Sequence, residues 1–316
     1  MSEKWPDQQE KKRPENPSVW QLGGLSVVGL SKRVWREMDV SRDDVFGRSA
    51  ELAFYFFLAA FPLMIFFLTI LGFIAGHHAT LTDGLVNSLS RVLPGSAHNL
   101  IERTIRQTEI HSSGWLMAVG IAGALWSGSA GVAALMSTLN IAFGVKETRP
   151  IWKARAVAIG LTIVLGVLIV AAILISLFGG WVAGQLGTAF GLPGALKELW
   201  RVGEYAIALF LIVLAYAVLY RWAPNRKQRH WAWITPGAVV GVLLWIAASV
   251  VLRLYLTYFK SFAATYGSLG AVIVLLFWFY ILGFSMLTGA EVNAVIEGAI
   301  AKRGHPDAHA KGEKAA

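Results

Sequence analysis

Four polar side chains near the end of the last long apolar run could carry chemistry. Ser285, Thr288 and Glu291 fall within about a third of a helix circumference, and Asn293 follows them. A carboxylate beside hydroxyl groups can bind a proton, a cation or a polar head group, and it is costly inside a membrane. We predict that these residues and Glu51 form an intramembrane polar site. The alternative is that Glu291 holds a structural network with Asn293 or the inner loops.

A second pair of opposite charges stands near the other side of the predicted membrane. Glu204 lies at the start of one apolar run and Arg253 near the end of the next. An arginine at a membrane boundary is stabilised by a carboxylate at its own depth, so we predict an ion pair between them. A gate is the alternative function of this pair.

Basic residues cluster in two short loops between apolar runs. They could form a ring that contacts anionic lipid head groups. The simpler interpretation is that they only fix the orientation of the chain in the membrane. The residues are Arg149, Lys153, Arg155, Arg226, Lys227 and Arg229.

Hydrolytic and nucleotide-driven chemistry has no pattern in the chain. There is no cysteine, which excludes disulfides and thiolate metal sites, and none of the seven histidines stands in an H-E-x-x-H pattern. Neither a P-loop nor a G-x-S-x-G sequence occurs. We therefore expect no enzyme activity, no cofactor and no metal.

The composition indicates which class of protein must position these side chains. Charged residues make up 15% of the 316 positions and apolar residues 56%, and the mean hydropathy is +0.56. Soluble domains of this length carry more charge, so the chain is predicted to be an all-α polytopic membrane protein. Between Lys260 and Glu291 alone, 30 consecutive residues carry no formal charge, which is enough for one crossing.

Six transmembrane helices are predicted to form a single bundle over residues 19–300. Pro62 should kink the first span, and four-residue spacing of small residues in the second should let a neighbouring helix approach closely. The glycine-rich segment after the third span should be irregular or re-entrant. The predicted spans are about 52–76, 114–139, 156–178, 202–222, 234–255 and 268–292.

The remaining segments are predicted to lie outside the hydrocarbon. Residues 1–18 and 301–316 are polar and should be disordered cytoplasmic tails. Residues 19–38 have apolar side chains at helical spacing among basic ones, which indicates an interfacial helix or a connector packed on the bundle. Amphipathic helices are expected between the first two spans, on the extracytoplasmic side.

The distribution of basic residues predicts the orientation. The N-terminal segment holds 9 Lys and Arg residues, and the loops 140–155 and 221–231 and the C-terminal tail hold 4 each, whereas the three opposite loops hold 3, 2 and 1. By the positive-inside rule both termini are cytoplasmic, so most of the net charge of +9 is a topology signal, not a nucleic-acid-binding surface.

Four segments together resemble the YihY/BrkB family of bacterial inner-membrane proteins. They are ELAFYFFLAAFPLMIF at 51–66, ALWSGSAGVAALMSTLNIAFGVKETRPIWKAR at 124–155, LYRWAPNRKQRHWAWITPGAVVGVLLW at 219–245 and YGSLGAVIVLLFWFYILGFSMLTGAEVNA at 266–294. The resemblance implies a six-helix inner-membrane protein with cytoplasmic termini. Members have been called envelope-integrity proteins, virulence factors, transporters and, under an older label, tRNA-processing ribonucleases.

The resemblance also implies where the polar, glycine and proline features of the family fall, without a catalytic role for any of them. These positions are Glu51, Pro62, Trp126, Asn140, Arg149, Pro150, Pro224, Asn225, Pro236, Tyr266, Gly267, Gly270, Glu291 and Asn293.

Two functions are compatible with these observations. We expect a transporter or lipid-handling protein whose partners are membrane lipids and an unidentified small molecule or lipid. The alternative is a structural protein that supports the envelope through partners or bound lipid. A ribonuclease is disfavoured because no catalytic constellation is present, and the sequence leaves the oligomeric state open.

Overall fold

The structure is a computed structural model that describes residues 19–38, 43–77, 114–189, 194–226, 234–258 and 261–302. Seven α-helices and one short 3₁₀ segment, Val19–Gly24, occur in these ranges. The helices are α1 (Val27–Glu37), α2 (Val45–His77), α3 (Gly114–Ala142), α4 (Ile151–Ala189), α5 (Gly194–Trp222), α6 (Pro236–Tyr258) and α7 (Ser261–Ala301). The chain is thus an all-α polytopic membrane protein, as predicted.

Five helices in the described ranges are long and apolar enough to cross a membrane. These segments are Ile121–Ala142, Ile151–Ser176, Val202–Trp222, Pro236–Tyr258 and Leu269–Ala301. The first predicted span corresponds to α2, whose side chains are described only as far as Pro62. The predicted amphipathic helices between the first two spans, Lys227, Arg229 and most of both tails lie outside the described residues.

The six long helices follow one another around the bundle in chain order, and α7 closes the ring by packing on α2. Helix α7 also contacts α1, α3 and the 3₁₀ segment, so it is the helix with the most neighbours among the described elements. One end of the bundle, here called the basic end, holds the first turns of α2, α4 and α6 and the last turns of α3, α5 and α7.

Small residues set the separation of α2 from α3. A side chain at Gly131 would meet Phe56, a side chain at Gly123 would meet Pro62, and the Ser127 hydroxyl donates to the carbonyl of Leu58 at 3.4 Å. The small residues Gly123, Ser127 and Gly131, spaced four apart, therefore allow α2 to approach α3 closely, as the spacing predicted. Pro62 lies inside α2, where it packs toward the glycine face of α3.

Helix α4 does not break after residue 178, so the predicted irregular or re-entrant segment is wrong. It continues to Ala189 and is 39 residues long. The backbone of Gly179 is held by α5, since the Trp200 indole donates to its carbonyl at 3.0 Å and Glu204 packs against its Cα. Contact with a neighbouring helix thus compensates for the low helix propensity of glycine at this point.

Residues 19–38 pack on α7. Val34 and Met38 are buried, and a side chain at Gly23 would meet Ala299 and the carbonyl of Ile296. Gly23 has a φ of 57°, a conformation that glycine adopts without a Cβ penalty. Other apolar side chains of this segment stay exposed, at Trp20, Val27, Val28 and Trp35, as expected for a helix at an interface.

The closest backbone approach joins α6 to α7. A Cβ atom at Gly237 would overlap the carbonyl oxygen of Gly289, and one at Gly289 would overlap that of Gly237. One turn away, a Cβ atom at Gly241 would lie 3.0 Å from the Ser285 carbonyl and 2.9 Å from the ring of Tyr216. Glycine is required at these crossings because no side chain can fit between the two backbones.

Replacing Gly237 by alanine should therefore destabilise the folded bundle, by about 2–4 kcal/mol, because α6 and α7 must separate. The matched control is Gly166→Ala in α4, where an added Cβ atom meets nothing within 4 Å. Thermal unfolding of both variants in detergent measures the difference. Equal unfolding temperatures would contradict the assigned crossing.

Candidate functional site

The predicted polar strip on α7 is buried against its neighbours. Ser285 is 0% exposed, and its hydroxyl lies 2.8 Å from the hydroxyl of Tyr216 and 2.8 Å from the Leu282 carbonyl. Tyr220 donates to the Met286 carbonyl at 2.7 Å. These tyrosines of α5 reach across the glycine contact between α6 and α7, so the strip joins three helices.

Asn293 stabilises the first turn of α6. Its side-chain oxygen accepts from the Gly237 amide at 2.9 Å, and its side-chain amide donates to the Thr235 hydroxyl at 3.0 Å. The same hydroxyl accepts from Ala238 at 3.2 Å, as an N-cap residue does, and Pro236 occupies the first helical position. Asn293 thus satisfies backbone groups that the start of a helix leaves open.

Glu51 and Glu291 lie in different environments and at different depths. Glu291 is 0% exposed, whereas Glu51 is exposed. Leu52 faces Gly283, and Glu291 is therefore about 11 Å farther along α7 than the level of Glu51. Helix α2 begins at Val45, nearly two turns before Glu51, so Glu51 lies farther from the basic end than Glu291 does.

Thr288 is intermediate in burial between exposed Glu51 and buried Glu291. It is half-buried, and its hydroxyl is a buried oxygen without a hydrogen-bond partner in the described part of the chain. Together with buried Ser285 and Glu291, it belongs to a closed surface of α7, not to an open site shared with Glu51.

The predicted pair of Glu204 and Arg253 does not form an ion pair in the described structure. Glu204 is 6% exposed and turns toward Gly179 of α4, while Arg253 is exposed on α6. The Oε2 atom of Glu204 is buried without a hydrogen-bond partner among the described residues. Gly179 leaves the space that lets this carboxylate turn inward, and nothing in the sequence pattern signals that contact.

Two arginines of the predicted basic ring are held inside the basic end. The Arg226 guanidinium pairs with Glu297, lies 4.0 Å from the ring centroid of Phe143 and is 7% exposed. Burial lowers the pKa of Arg226, and the charge of Glu297 opposes that effect. Arg226 therefore joins the loop after α5 to the ends of α3 and α7.

Arg149 belongs to a second network in the same region. Arg149 forms a salt bridge with Glu147 at 2.8 Å and donates to the Ala223 carbonyl at 2.8 Å. Asn140 donates to Glu147 at 2.9 Å and accepts from the Asn225 amide at 2.7 Å. These bonds join the end of α3 to the loop after α5, a structural role of Asn140 and Asn225 that no sequence pattern indicates.

Lys153 and Arg155 occupy the first turns of α4 and are placed differently. Lys153 is exposed. The Arg155 guanidinium lies 4.7 Å from the centroid of the Trp126 ring and donates to the Trp126 carbonyl at 3.3 Å. Of the described members of the predicted ring, these two remain at the surface. Among the described residues no group of three or more His, Asp or Glu side chains could hold a metal ion.

Removing one partner of the Arg226–Glu297 pair should destabilise the basic end. For Glu297→Gln we expect a loss of about 3 kcal/mol, because the guanidinium then stays buried without its counter-charge. Chemical unfolding in detergent measures the loss, with Lys153→Gln as the exposed control. If Arg226→Gln and Glu297→Gln destabilise additively when combined, the two side chains are not coupled.

Acid should weaken the Asn140–Glu147–Arg149 network. Partial burial alone would raise the pKa of Glu147, but hydrogen bonds from Arg149 and Asn140 lower it below the ordinary value of 4.5. The contribution of Glu147 to stability is therefore present above about pH 4.5 and lost as the pH falls through its lowered pKa. Stability measured between pH 6 and 3 should fall less in Glu147→Gln than in the wild type; parallel pH profiles would contradict this role.

Comparison with known proteins gives one family and several bacterial relatives. The family described as "Virulence factor BrkB" matches residues 38–314. YfkH of Bacillus subtilis, whose name describes it as ribonuclease-like, is 34% identical over 79% of this chain and 89% of its own length. A UPF0761 membrane protein of Pseudoalteromonas translucida is 28% identical over 51% of each chain.

A further UPF0761 membrane protein, from Vibrio cholerae, is 30% identical over 32% of this chain and 34% of its own length. No solved structure matches the chain.

Proposed function

The chain belongs to the BrkB virulence-factor family, and from its geometry we propose that it is a lipid-handling protein of the bacterial cytoplasmic membrane. We place both termini in the cytoplasm, because the basic end holds most of the loop arginines and lysines. The basic end then lies at the inner boundary of the membrane.

The observation that carries this proposal is the position of Glu51 on α2. Glu51 is exposed on the same helix face as Phe54, Leu58 and Phe61, which are 46–55% exposed. Those apolar side chains face lipid in a membrane helix. A carboxylate on that stripe is costly unless a polar group meets it, and the cationic amine of a phospholipid head group has the required charge.

The depth of Glu51 supports this role. It stands about 9 Å into α2 from Val45, between the basic end and the apolar part of the bundle. A lipid whose head group contacts Glu51 would thus place its acyl chains along the exposed side chains of Phe54, Leu58 and Phe61.

The closed strip on α7 has a different part in this proposal. With Glu291 and Ser285 fully buried, neither reaches a substrate while the bundle keeps this arrangement. Glu51 is therefore the carboxylate of the predicted site that a lipid can contact. The buried residues Ser285 and Glu291 instead contribute to the packing of α7 against its neighbouring helices.

A non-transporting structural protein is the second candidate. The observation in its favour is the closure of the basic end by Arg226–Glu297 and by the hydrogen bonds of Asn140. Such a protein would bind lipid or partners without moving anything. The ribonuclease-like name of YfkH has no matching constellation in the sequence of this chain, so we propose no such activity.

Reconstituted vesicles test the lipid-handling proposal. Fluorescent phosphatidylethanolamine should cross between leaflets faster with the full-length protein than in protein-free vesicles. Glu51→Gln should slow this movement about tenfold, equal to about 1.4 kcal/mol, because the amine loses its counter-charge. Glu51→Asp should keep most of it.

Lys32→Gln on exposed α1 is the control for a general effect of charge. Movement no faster than in protein-free vesicles would contradict lipid handling and favour the structural candidate. Movement unaffected by Glu51→Gln would contradict the role of Glu51.

A further inference from the structure

We propose that a cleft between α5 and α6 binds an anionic phospholipid of the leaflet opposite the basic end, with the phosphodiester at Arg253 and Tyr205. The cleft, here called the lateral cleft, ends at the contact of Tyr216 with Gly241. Its walls are Val202, Tyr205 and Leu209 of α5 and Ile246, Ser249 and Arg253 of α6. The cleft does not include Glu51, and the proposal does not require that the protein moves lipid.

The α5 wall is a helix face that is buried near the basic end and exposed farther away. Tyr216 is 3% exposed, and a Cβ atom at Gly241 would lie 2.9 Å from its ring. Leu209, Tyr205 and Val202 lie on the same face of α5 as Tyr216, yet they are 41%, 59% and 65% exposed. This face of α5 therefore meets α6 at Tyr216 and has no close neighbour beyond it.

The α6 wall changes in the same way. Ala238 and Val242 are at most 1% exposed, whereas Ile246 and Arg253, on the same helix face as Val242, are exposed. Among the consecutive long helices in the described ranges, α5 and α6 also pack on each other least extensively. The two helices therefore diverge with distance from the basic end, and the space between them opens toward the lipid.

Arg253 supplies the positive charge of the lateral cleft. Glu204, the carboxylate expected to meet it, turns toward Gly179 of α4, and no carboxylate lies within salt-bridge distance of Arg253 among the described residues. Tyr205 stands on the opposite wall at the same height, about 17 Å from the Tyr216 contact. The guanidinium and the phenol hydroxyl donate hydrogen bonds, which suit the two unesterified oxygens of a phosphodiester.

The depth of Arg253 suits a lipid head group. It lies about 8 Å from the end of α6 at Tyr258, and its flexible stem lets the guanidinium reach the membrane boundary. Tyr255 and Tyr258 are 44% and 80% exposed near the same height, as aromatic side chains at a membrane interface are. A phosphodiester at Arg253 would thus lie at the boundary of the hydrocarbon, not at its centre.

The part of the cleft below Arg253 indicates a lipid as the source of the phosphate. One turn deeper on the same face, the Ser249 hydroxyl is a buried oxygen without a hydrogen-bond partner among the described residues. A hydroxyl in that position is costly unless it donates a hydrogen bond, and the ester carbonyl of a phospholipid accepts one. Exposed Leu209 and Ile246 provide apolar walls for an acyl chain. A free phosphate has neither an ester carbonyl nor a chain.

Native mass spectrometry of the full-length protein in detergent, titrated with phosphatidylglycerol or phosphatidylcholine, tests the site. The wild type should hold one phosphatidylglycerol at least tenfold more tightly than phosphatidylcholine, because Arg253 has no counter-charge in the cleft. Arg253→Gln should remove most of that preference. Arg253→Lys should keep part of it, since the charge remains while the donor fork is lost. Tyr205→Phe should weaken binding of phosphatidylglycerol with the arginine in place.

A second variant tests the entry of the acyl chain. Leu209→Trp fills the apolar part of the cleft and should weaken binding of both lipids at least tenfold. Its matched control is Leu243→Trp, on the lipid-facing side of α6, where the native side chain is 58% exposed. Arg36→Gln on exposed α1 is the control for general charge attraction. Each control should change the affinity less than twofold.

Equal losses in Arg253→Gln and Arg36→Gln would overturn the proposal in favour of general charge attraction, and equal affinity for the two lipids would overturn it as well. Equal effects of Leu209→Trp and Leu243→Trp would show that no acyl chain enters the cleft. Displacement of the lipid by millimolar inorganic phosphate would reject a lipid site. A lipid-free dimer that Leu209→Trp dissociates would show that a second copy of the chain fills the cleft instead.

If Arg253→Gln does not fold, the Tyr205→Phe and Leu209→Trp titrations decide the question. Binding to the lateral cleft is measured in detergent and lipid movement in vesicles, so failure of this proposal and failure of the Glu51 proposal are distinguishable.

Discussion

The contact of the α6 and α7 backbones at Gly237 and Gly289 is the constraint on which the rest of the basic half depends. At that separation Asn293 can reach the first turn of α6, and Tyr220 can reach the Met286 carbonyl. A wider crossing would leave those polar groups without partners in a region where water is scarce, and each would then carry a desolvation cost. The glycines and the buried hydrogen bonds therefore stabilise one another.

The polar residues of this membrane protein divide by their surroundings. Buried groups such as Ser285 and Asn293 bond to neighbouring helices and fix the geometry of the bundle. Glu51, in contrast, is exposed on the outside of the bundle. A carboxylate in a membrane helix can therefore either belong to the packed interior, as Glu291 does, or face the surroundings, as Glu51 does.

The basic residues divide in the same way. A loop arginine that pairs with a glutamate inside the fold, as Arg226 does with Glu297, has little charge left for a lipid. Arg155 stacks on an aromatic ring at the surface, which holds it in place without neutralising it. Of the four described members of the predicted ring, Arg149 and Arg226 are therefore held by glutamates inside the fold, while Lys153 is exposed and Arg155 half-buried.

The sequence by itself determined the class of protein and the main helices, because long uncharged runs and small-residue spacing act locally, through hydrophobicity and close packing. It also identified Ser285, Asn293 and Arg155 as residues of interest. It misplaced the end of α4 and paired Glu204 with Arg253, since both expectations depended on the direction in which a neighbouring side chain turns.

Only the tertiary structure decided that Glu291 is buried and Glu51 exposed. Both residues stand at the ends of their predicted spans, but α2 begins at Val45, so Glu51 lies farther from the basic end than Glu291 does. Depth and burial arise from how helices are offset and packed against one another, and those offsets depend on contacts between residues far apart in the chain.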